Sequence, residues 1–147
     1  MIDTSDIYLR LDSINAADDD RGLVPSRHYI ICRAVDDEPV GECSLRLGHN
    51  GKDGYYSTYY GGNIGYEVYP DFRGNRYAAK ATLVLLDEAK TLGMEYVLIT
   101  CSPENLASKR TIELAGFALV EDTEVPEHNC LYERGECRKL IYKMDLK

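Results

Sequence analysis

Residues 64–78 change their hydrophobic period from two to that of a helix within a few positions. Ile64, Tyr66 and Val68 alternate with other residues, which predicts a strand that Pro70 ends. Helical spacing follows, in a stripe made of Ala78, Ala81, Thr82, Leu85, Ala89 and Leu92. A short turn from a strand into a helix directs free backbone N–H groups and the positive end of the helix dipole at one point. The segment therefore predicts a site for a phosphate group.

The glycine content of this turn separates the classes of phosphate ligand. Dinucleotide-binding turns carry three glycines as G-x-G-x-x-G, and nucleoside triphosphate loops carry G-x-x-x-x-G-K-[ST]. Neither pattern is present here, because Gly74 is the one glycine of the turn. A nucleotide-binding α/β protein is therefore disfavoured.

Two motifs resemble those of the GNAT (Gcn5-related) N-acetyltransferase superfamily. The turn is similar to the pyrophosphate motif [Q/R]-x-x-G-x-[G/A], with Arg73, Arg76 and Ala78 at its first, fourth and sixth positions. Residues 105–110 and 113–117 resemble N-x-x-S-x-[K/R] and E-x-x-G-F of the same family. The motifs occur in the family's order with a strand between them, and the resemblance covers roughly residues 61 to 120.

The strand and helix patterns agree with that resemblance. We expect a mixed α/β fold with one mostly antiparallel, GNAT-like sheet of about seven strands and helices on both faces, in a single domain spanning residues 1–147. Strands are expected at 7–12, 27–35, 42–47, 64–69, 96–101, from 117, and at 139–146. Residues 13–26 show no convincing long helix, so the N-terminal helices of the family are reduced. Ser102 and Pro103 predict the start of the second helix and Gly116 its end.

The resemblance implies binding of acetyl-CoA, without a metal. The cofactor-binding residues it indicates are Val68, Tyr69, Arg73, Gly74, Asn75, Arg76, Tyr77, Ala78, Asn105, Ser108 and Lys109. Arg76 departs from the family's glycine at the fourth motif position, where glycine permits close backbone approach. Two interpretations remain open: the guanidinium contacts phosphate, which suits its planar fork, or it points outward from the first helical turn.

The implied reaction is transfer of an acetyl group to a primary amine of a small molecule or protein, by direct attack in a ternary complex. The resemblance gives the backbone N–H of Val68 the role of donor to the thioester oxygen. Glu67 is the candidate base, as the one carboxylate in the motif strand. Ile112 occupies the position of the family's tyrosine acid, leaving Tyr132 or Tyr142 as substitutes. The alternative function is a catalytically inactive, CoA-binding regulatory module.

Composition narrows the partners. A formal net charge of −8 argues against nucleic acid and is compatible with a cationic amine drawn to an acidic mouth. No long apolar run and no basic leader occur, so we expect a cytoplasmic protein without membrane contact; a homodimer is an open possibility. The five cysteines form no C-x-x-C pair and the histidines are scattered, which disfavours metal binding. Cys101 is expected to be a buried strand residue rather than a nucleophile.

Residues 48–63 leave two interpretations open. Four tyrosines lie in this glycine-rich segment, at positions 55, 56, 59 and 60. Tyrosine rings suit a half-apolar substrate pocket, but the same residues fit the strands of a long hairpin. Residues 121–135 read as a long polar connection before the last strand.

Overall fold

The computed structural model describes residues 2–147 and contains seven strands and four helices. The strands are β1 (Ile7–Asn15), β2 (Ser26–Arg33), β3 (Pro39–Arg46), β4 (Ile64–Val68), β5 (Tyr96–Cys101), β6 (Ala118–Glu124) and β7 (Arg138–Asp145). The helices are α1 (Thr58–Gly61), α2 (Tyr77–Thr91), α3 (Leu106–Leu114) and α4 (Cys130–Glu133). Among the described residues, no helix is long and apolar enough to cross a bilayer.

The strands form two antiparallel sheets side by side. The first sheet has the order β1-β2-β3-β4, and the second has the order β5-β7-β6. The expected mixed α/β fold of seven mostly antiparallel strands is confirmed, with the refinement that the sheet is divided between β4 and β5. This division lies where the family resemblance places the acetyl donor.

One core joins the two sheets on the face covered by α2 and α3. Helix α2 follows the predicted stripe, because Ala81, Leu85 and Ala89 are fully buried. They pack with residues of both sheets, including Ile31, Leu45, Val97, Ile99 and Tyr142. Gly93, at φ +87°, follows the end of α2 as expected. Burying one such leucine side chain stabilises the fold by about 2 kcal/mol, so this face fixes how α2 sits across the division.

The opposite faces of the two sheets differ in their cover. Helices α1 and α4 contribute Tyr60 and Leu131 to a second apolar cluster, against Leu98 of β5 and Ile141 of β7. The second sheet is therefore covered on both faces. The first sheet lacks such helices, because β1 passes directly into β2 through residues 16–25. This confirms the expected reduction of the N-terminal helices and leaves the second face of β3 and β4 open.

Asn63 holds the two sheets together at the point where they meet. Its side chain is fully buried. Its Nδ2 donates to the carbonyls of Arg46 and Gly48 at 3.1 and 2.9 Å, and its Oδ1 accepts from the Leu98 N–H at 2.8 Å. Its backbone N–H donates to the Leu98 carbonyl at 2.7 Å, so one residue bonds to the segment after β3 and to β5.

Gly62 makes this close approach sterically feasible. A Cβ on Gly62 would lie 3.2 Å from the Leu98 carbonyl oxygen and 3.2 Å from the Thr100 nitrogen, and its φ is +77°. Only glycine adopts this conformation against a neighbouring backbone without strain. Beyond this point β4 and β5 diverge.

Three expectations about elements are corrected. Helix α3 starts after Asn105, whose side chain accepts from the Ser108 N–H, and Ser102 instead closes a turn by accepting from the Asn105 N–H. Residues 48–63 form no hairpin but a loop with the single-turn helix α1. The connection expected at 121–135 is shorter, because β6 continues to Glu124 by pairing with β7.

We predict that Asn63→Ala lowers the free energy of unfolding by about 3 kcal/mol or more, because it leaves three buried backbone groups without partners. Urea denaturation measures this change. Asn15→Ala is the control, since Asn15 is exposed and makes one 3.3 Å side-chain bond to Ser26; its effect should stay within about 0.5 kcal/mol. A loss below about 1 kcal/mol for Asn63→Ala would contradict the role given to this residue.

Candidate active site

The turn that precedes α2 carries a row of free backbone donors. After β4, a single 3-10 turn at Pro70–Phe72 leads to Gly74 and then to the helix. Within residues 2–147, the N–H groups of residues 74 to 78 donate to no other group. Helix α2 is fifteen residues long, so its dipole adds positive potential at the same place. These donors fit a pyrophosphate, as the motif predicts.

Arg76 occupies a backbone conformation that suits glycine. It is the N-cap of α2, in the left-handed region at φ 62° and ψ 24°, and it makes no side-chain capping bond. A left-handed residue with a Cβ costs about 1–2 kcal/mol relative to glycine. Arg76 therefore stands in a conformation that glycine, the residue usual at this motif position, would adopt without strain. The side chain itself is exposed.

The division between the sheets presents unpaired backbone of β4. Tyr69 donates its N–H to Val40 of β3 at 2.9 Å. Because bonding direction alternates along a strand, the N–H of Val68 points away from β3, toward β5. The Val68 carbonyl accepts from Nε of Arg73 at 3.1 Å, so Arg73 supports its own turn. A free strand edge therefore lies next to the phosphate-binding turn.

Glu67 lies on the open face of the first sheet. The β3–β4 pairing runs without a register shift from Leu45↔Ile64 to Gly41↔Val68, so no bulge redirects the side chains. Glu67 is exposed and stands directly opposite Glu42. It lies on the same face as Gly65, about 7 Å farther along the strand. The structure thus places Glu67 on the face away from α2.

A tyrosine that the sequence analysis did not single out reaches across the division. The Tyr66 hydroxyl lies 2.7 Å from Oγ of Ser108 on α3. Burial raises the pKa of Tyr66, so its hydroxyl stays protonated at neutral pH. Ile112, one helical turn beyond Ser108, is fully buried in the core.

Neither suggested substitute for the acid lies in this region. Tyr142 is 2% exposed and belongs to the main core. Tyr132 lies on α4 and does not line the cleft described below. Asn105 caps α3, which gives it a structural role in addition to the one implied by the resemblance. Ser108 and Lys109 are half-buried on the first turns of that helix.

A cleft of about 1000 Å³ opens on the face away from α2. One part of it borders the division and is lined by Gly65, Tyr66, Thr100 and Ser108. The remainder extends to the β1–β2 hairpin, α1 and α4. Of the four tyrosines in residues 48–63, Tyr56 lines the cleft and Tyr60 is buried in the second cluster. Tyr55 and Tyr59 donate to the carboxylates of Glu133 and Glu121 and do not line the cleft. The pocket interpretation therefore holds for Tyr56 alone.

The buried strand cysteines Cys43 and Cys101 do not provide a nucleophile for this cleft. Cys101 is 3% exposed, and burial raises its pKa, as it does that of Cys43 to about 12. A raised pKa keeps the thiol protonated and unreactive. The expectation that Cys101 is a buried strand residue is confirmed. Cys130 also lines the cleft, half-buried, on α4.

We predict that Arg76→Gly raises the free energy of unfolding by about 1 kcal/mol, because it removes left-handed strain. Arg76→Ala should change it little, since alanine keeps a Cβ. Thermal or urea denaturation measures both variants. Asn75→Gly is the control, because Asn75 is not in the left-handed region and its replacement should bring no gain. Equal destabilisation by both Arg76 variants would refute the strain argument.

Comparison with known proteins places the chain among acetyltransferases. The family model of the acetyltransferase (GNAT) domain matches residues 3–118. A search of curated proteins returns no match. Among solved structures, the microcin C7 self-immunity acetyltransferase in complex with acetyl-CoA and AMP aligns with a TM-score of 0.59 at 21% identity, over 82% of this chain and 61% of the other.

Two further structures show the same fold. Spermidine N-acetyltransferase from Vibrio cholerae, in complex with CoA and spermine, aligns with a TM-score of 0.60 at 12% identity, over 82% of this chain and 66% of the other. AAC(6')-Ib, in complex with ribostamycin and coenzyme A, aligns with a TM-score of 0.63 at 17% identity, over 82% and 64%. The chain thus spans less than two thirds of the length of each structure it is compared with. The family match, which covers most of the chain, establishes that it belongs to the GNAT acetyltransferase family.

Proposed function

We propose that the chain transfers an acetyl group from acetyl-CoA to a primary amine by direct attack in a ternary complex. The observation that carries this proposal is the row of free N–H groups at residues 74–78, next to the unpaired edge of β4. The turn would hold the pyrophosphate, and the Val68 N–H at the β4 edge would bond to the pantetheine arm. Tyr69, which was expected to share this pairing, gives its backbone N–H to Val40 and its carbonyl to the Phe72 N–H, so it would only flank the arm. Asn105, Ser108 and Lys109 would border the same ligand from α3.

The reaction assigns a role to several groups around the division. The amine nitrogen forms a bond to the thioester carbon, the carbon–sulfur bond breaks, and CoA leaves as a thiolate. The Val68 N–H would donate to the carbonyl oxygen while negative charge develops on it. Holding both reactants in one cleft supplies much of the rate, so no protein nucleophile is required. This suits a site whose buried cysteines are protonated.

Two side chains are proposed to carry protons. Glu67, directly or through a water molecule, would accept the proton that the amine loses. Tyr66 would donate a proton to the departing thiolate, because its hydroxyl is protonated and lies at the division, beside Ser108. Glu67 stands on the open face of β4 but does not itself line the cleft, which reaches β4 at Gly65 and Tyr66, so a water molecule would carry the proton from the amine to its carboxylate.

A second candidate function is a CoA-binding module without catalysis. The observation that favours it is Ile112, which fills the core where the family places a tyrosine acid. Measurement of thiol release across an amine panel separates the two functions once CoA binding has been measured. Binding without amine-dependent thiol release favours the regulatory module.

We predict that CoA and acetyl-CoA bind to the turn, as calorimetry at low salt should detect, while free ATP competes weakly. Asn75→Asp should weaken CoA by about tenfold or more, because a carboxylate then faces the pyrophosphate. The same substitution does not threaten the helix, since negative charge near a helix N-terminus is stabilising. Asn15→Asp is the matched control, because it makes the same chemical change at an exposed residue of β1.

Tight ATP binding without CoA binding would contradict the assignment of CoA as the ligand of this turn. Arg76 provides a second comparison on the same ligand. If its guanidinium contacts phosphate, Arg76→Ala weakens CoA by about 1–3 kcal/mol and Arg76→Gly by less. Unchanged affinity in both variants would mean that the side chain points outward.

We predict that Glu67→Gln lowers the acetylation rate by roughly 10²–10⁴-fold and leaves CoA affinity nearly unchanged. Glu42→Gln is the matched control, because Glu42 lies directly opposite on the same face of the sheet. A large loss in Glu42→Gln with little change in Glu67→Gln would move the base to β3.

A further inference from the structure

The cleft on the open face is basic, in contrast to the chain as a whole. The chain has a formal net charge of −8. The charged residues that line the cleft are nevertheless four cations and two anions, namely Arg21, Arg46, Arg134, Lys139, Asp18 and Glu136. This positively charged cleft differs from the acidic substrate entrance that the net charge of the chain would suggest.

The two anions offset two of the four cations, but only one of them forms an ion pair. Lys139 bonds to Glu136 at 2.7 Å, and its side chain is only 8% exposed. The Asp18 carboxylate accepts the Arg21 backbone N–H at 3.2 Å, while the Arg21 guanidinium donates to the Tyr56 hydroxyl at 3.4 Å and feels the charge of Asp18 without bonding to it. Arg46 and Arg134 remain as the cations of the lining that no carboxylate of the lining balances.

Within residues 2–147, neither Arg46 nor Arg134 forms an ion pair with a carboxylate. Arg46 uses Nη1 to donate to the Gly62 carbonyl at 3.0 Å, which fixes its side chain at the point where the sheets meet. Its remaining N–H groups are available on the cleft side. Arg134 follows α4 on the facing wall and is exposed.

The guanidinium groups of Arg46 and Arg134 line the same cleft. The pKa of Arg46 lies below its ordinary value, chiefly because surrounding protein desolvates it although it remains accessible from the cleft. The charge of Arg134 adds to this effect. Like charges that share a partly desolvated wall repel, and an anion between them would relieve that repulsion. Guanidinium forks bind carboxylate and phosphate oxygens through paired hydrogen bonds.

We propose that the acceptor amine carries a carboxylate or phosphate group, which Arg46 and Arg134 bind while the amine reaches the division between β4 and β5. This inference rests on the proposed acetyl transfer. The cleft is continuous between the two arginines and the Tyr66–Ser108 pair, so one molecule can occupy both ends. A polycation such as spermidine would place its second positive charge beside two unpaired arginines, which is unfavourable.

The test measures kcat/KM with acetyl-CoA for four amines: glycylglycine, glycylglycinamide, phosphoethanolamine and spermidine. Glycylglycine and its amide share the amine and differ in the carboxylate. We expect the two anionic amines to exceed the amide and spermidine by about 10–100-fold, the range for losing one charged hydrogen bond. The ratio of phosphoethanolamine to glycylglycine distinguishes phosphate from carboxylate as the preferred group.

Variants that remove one positive charge show which arginine is responsible for the preference for anionic amines. Arg46→Gln and Arg134→Gln should each reduce the preference for anionic amines by about tenfold or more. The readout is the ratio of kcat/KM between glycylglycine and glycylglycinamide, so a loss of activity that is equal for both amines does not support the anion site. Arg138→Gln is the matched control, because Arg138 is exposed, pairs with Asp122 at 2.7 Å and does not line the cleft. Arg134 is exposed at the end of a four-residue helix, so its replacement tests the proposal if Arg46→Gln fails to fold.

Two results would overturn the inference. Glycylglycinamide or spermidine reacting as well as the anionic amines, with no change in either arginine variant, would refute it and leave acetyl transfer standing. If no amine reacts, calorimetry of glycylglycine and phosphoethanolamine with the CoA-bound protein decides. Binding that is lost in Arg46→Gln supports the anion site and removes the proposed activity, whereas absent binding refutes the site.

Discussion

The buried amide of Asn63 is the interaction on which the rest of the structure depends. Its side chain and backbone bond to the segment after β3 and to β5, and all of its polar groups have partners. Because this attachment is made at one end of β4, the two sheets remain joined there while the other ends of β4 and β5 diverge. The unpaired edge at Val68 follows from this geometry. The division between β4 and β5 and the cleft that borders it both begin near Asn63.

The turn before α2 shows how a functional constraint acts on backbone conformation rather than on residue type. Arg76 adopts the left-handed conformation that glycine adopts without strain. The core contacts of Ala81, Leu85 and Ala89 hold α2 in place, so the fold can bear a strain of about 1–2 kcal/mol at one cap. An arginine here adds positive charge beside the free N–H groups of residues 74–78.

Local patterns predicted well those features that depend on neighbouring residues. The strand at 64–68, the stripe of α2 and the glycine after it were all recognisable, because alternation, helical spacing and φ restrictions act over a few residues. Features that depend on distant residues were not predicted. The predicted start of α3 was wrong, since Ser102 and Asn105 are both residue types that cap helices and the structure shows that the Asn105 side chain accepts the capping bond from the Ser108 N–H. The Tyr66–Ser108 contact joins β4 to α3, and no periodicity reports it.

The cleft gives the clearest example of why net charge is a poor guide to a site. The acidic residues that produce a charge of −8 lie mostly in turns and on exposed faces, where water solvates them. The cleft wall instead takes Arg46 from the end of β3 and Arg134 from the end of α4, residues 88 positions apart by their numbers. Only the fold brings them together, because the absent N-terminal helices leave this face open to α4 and the β1–β2 hairpin. The direct β1–β2 connection therefore shapes the charge of the proposed acceptor site as well as its size.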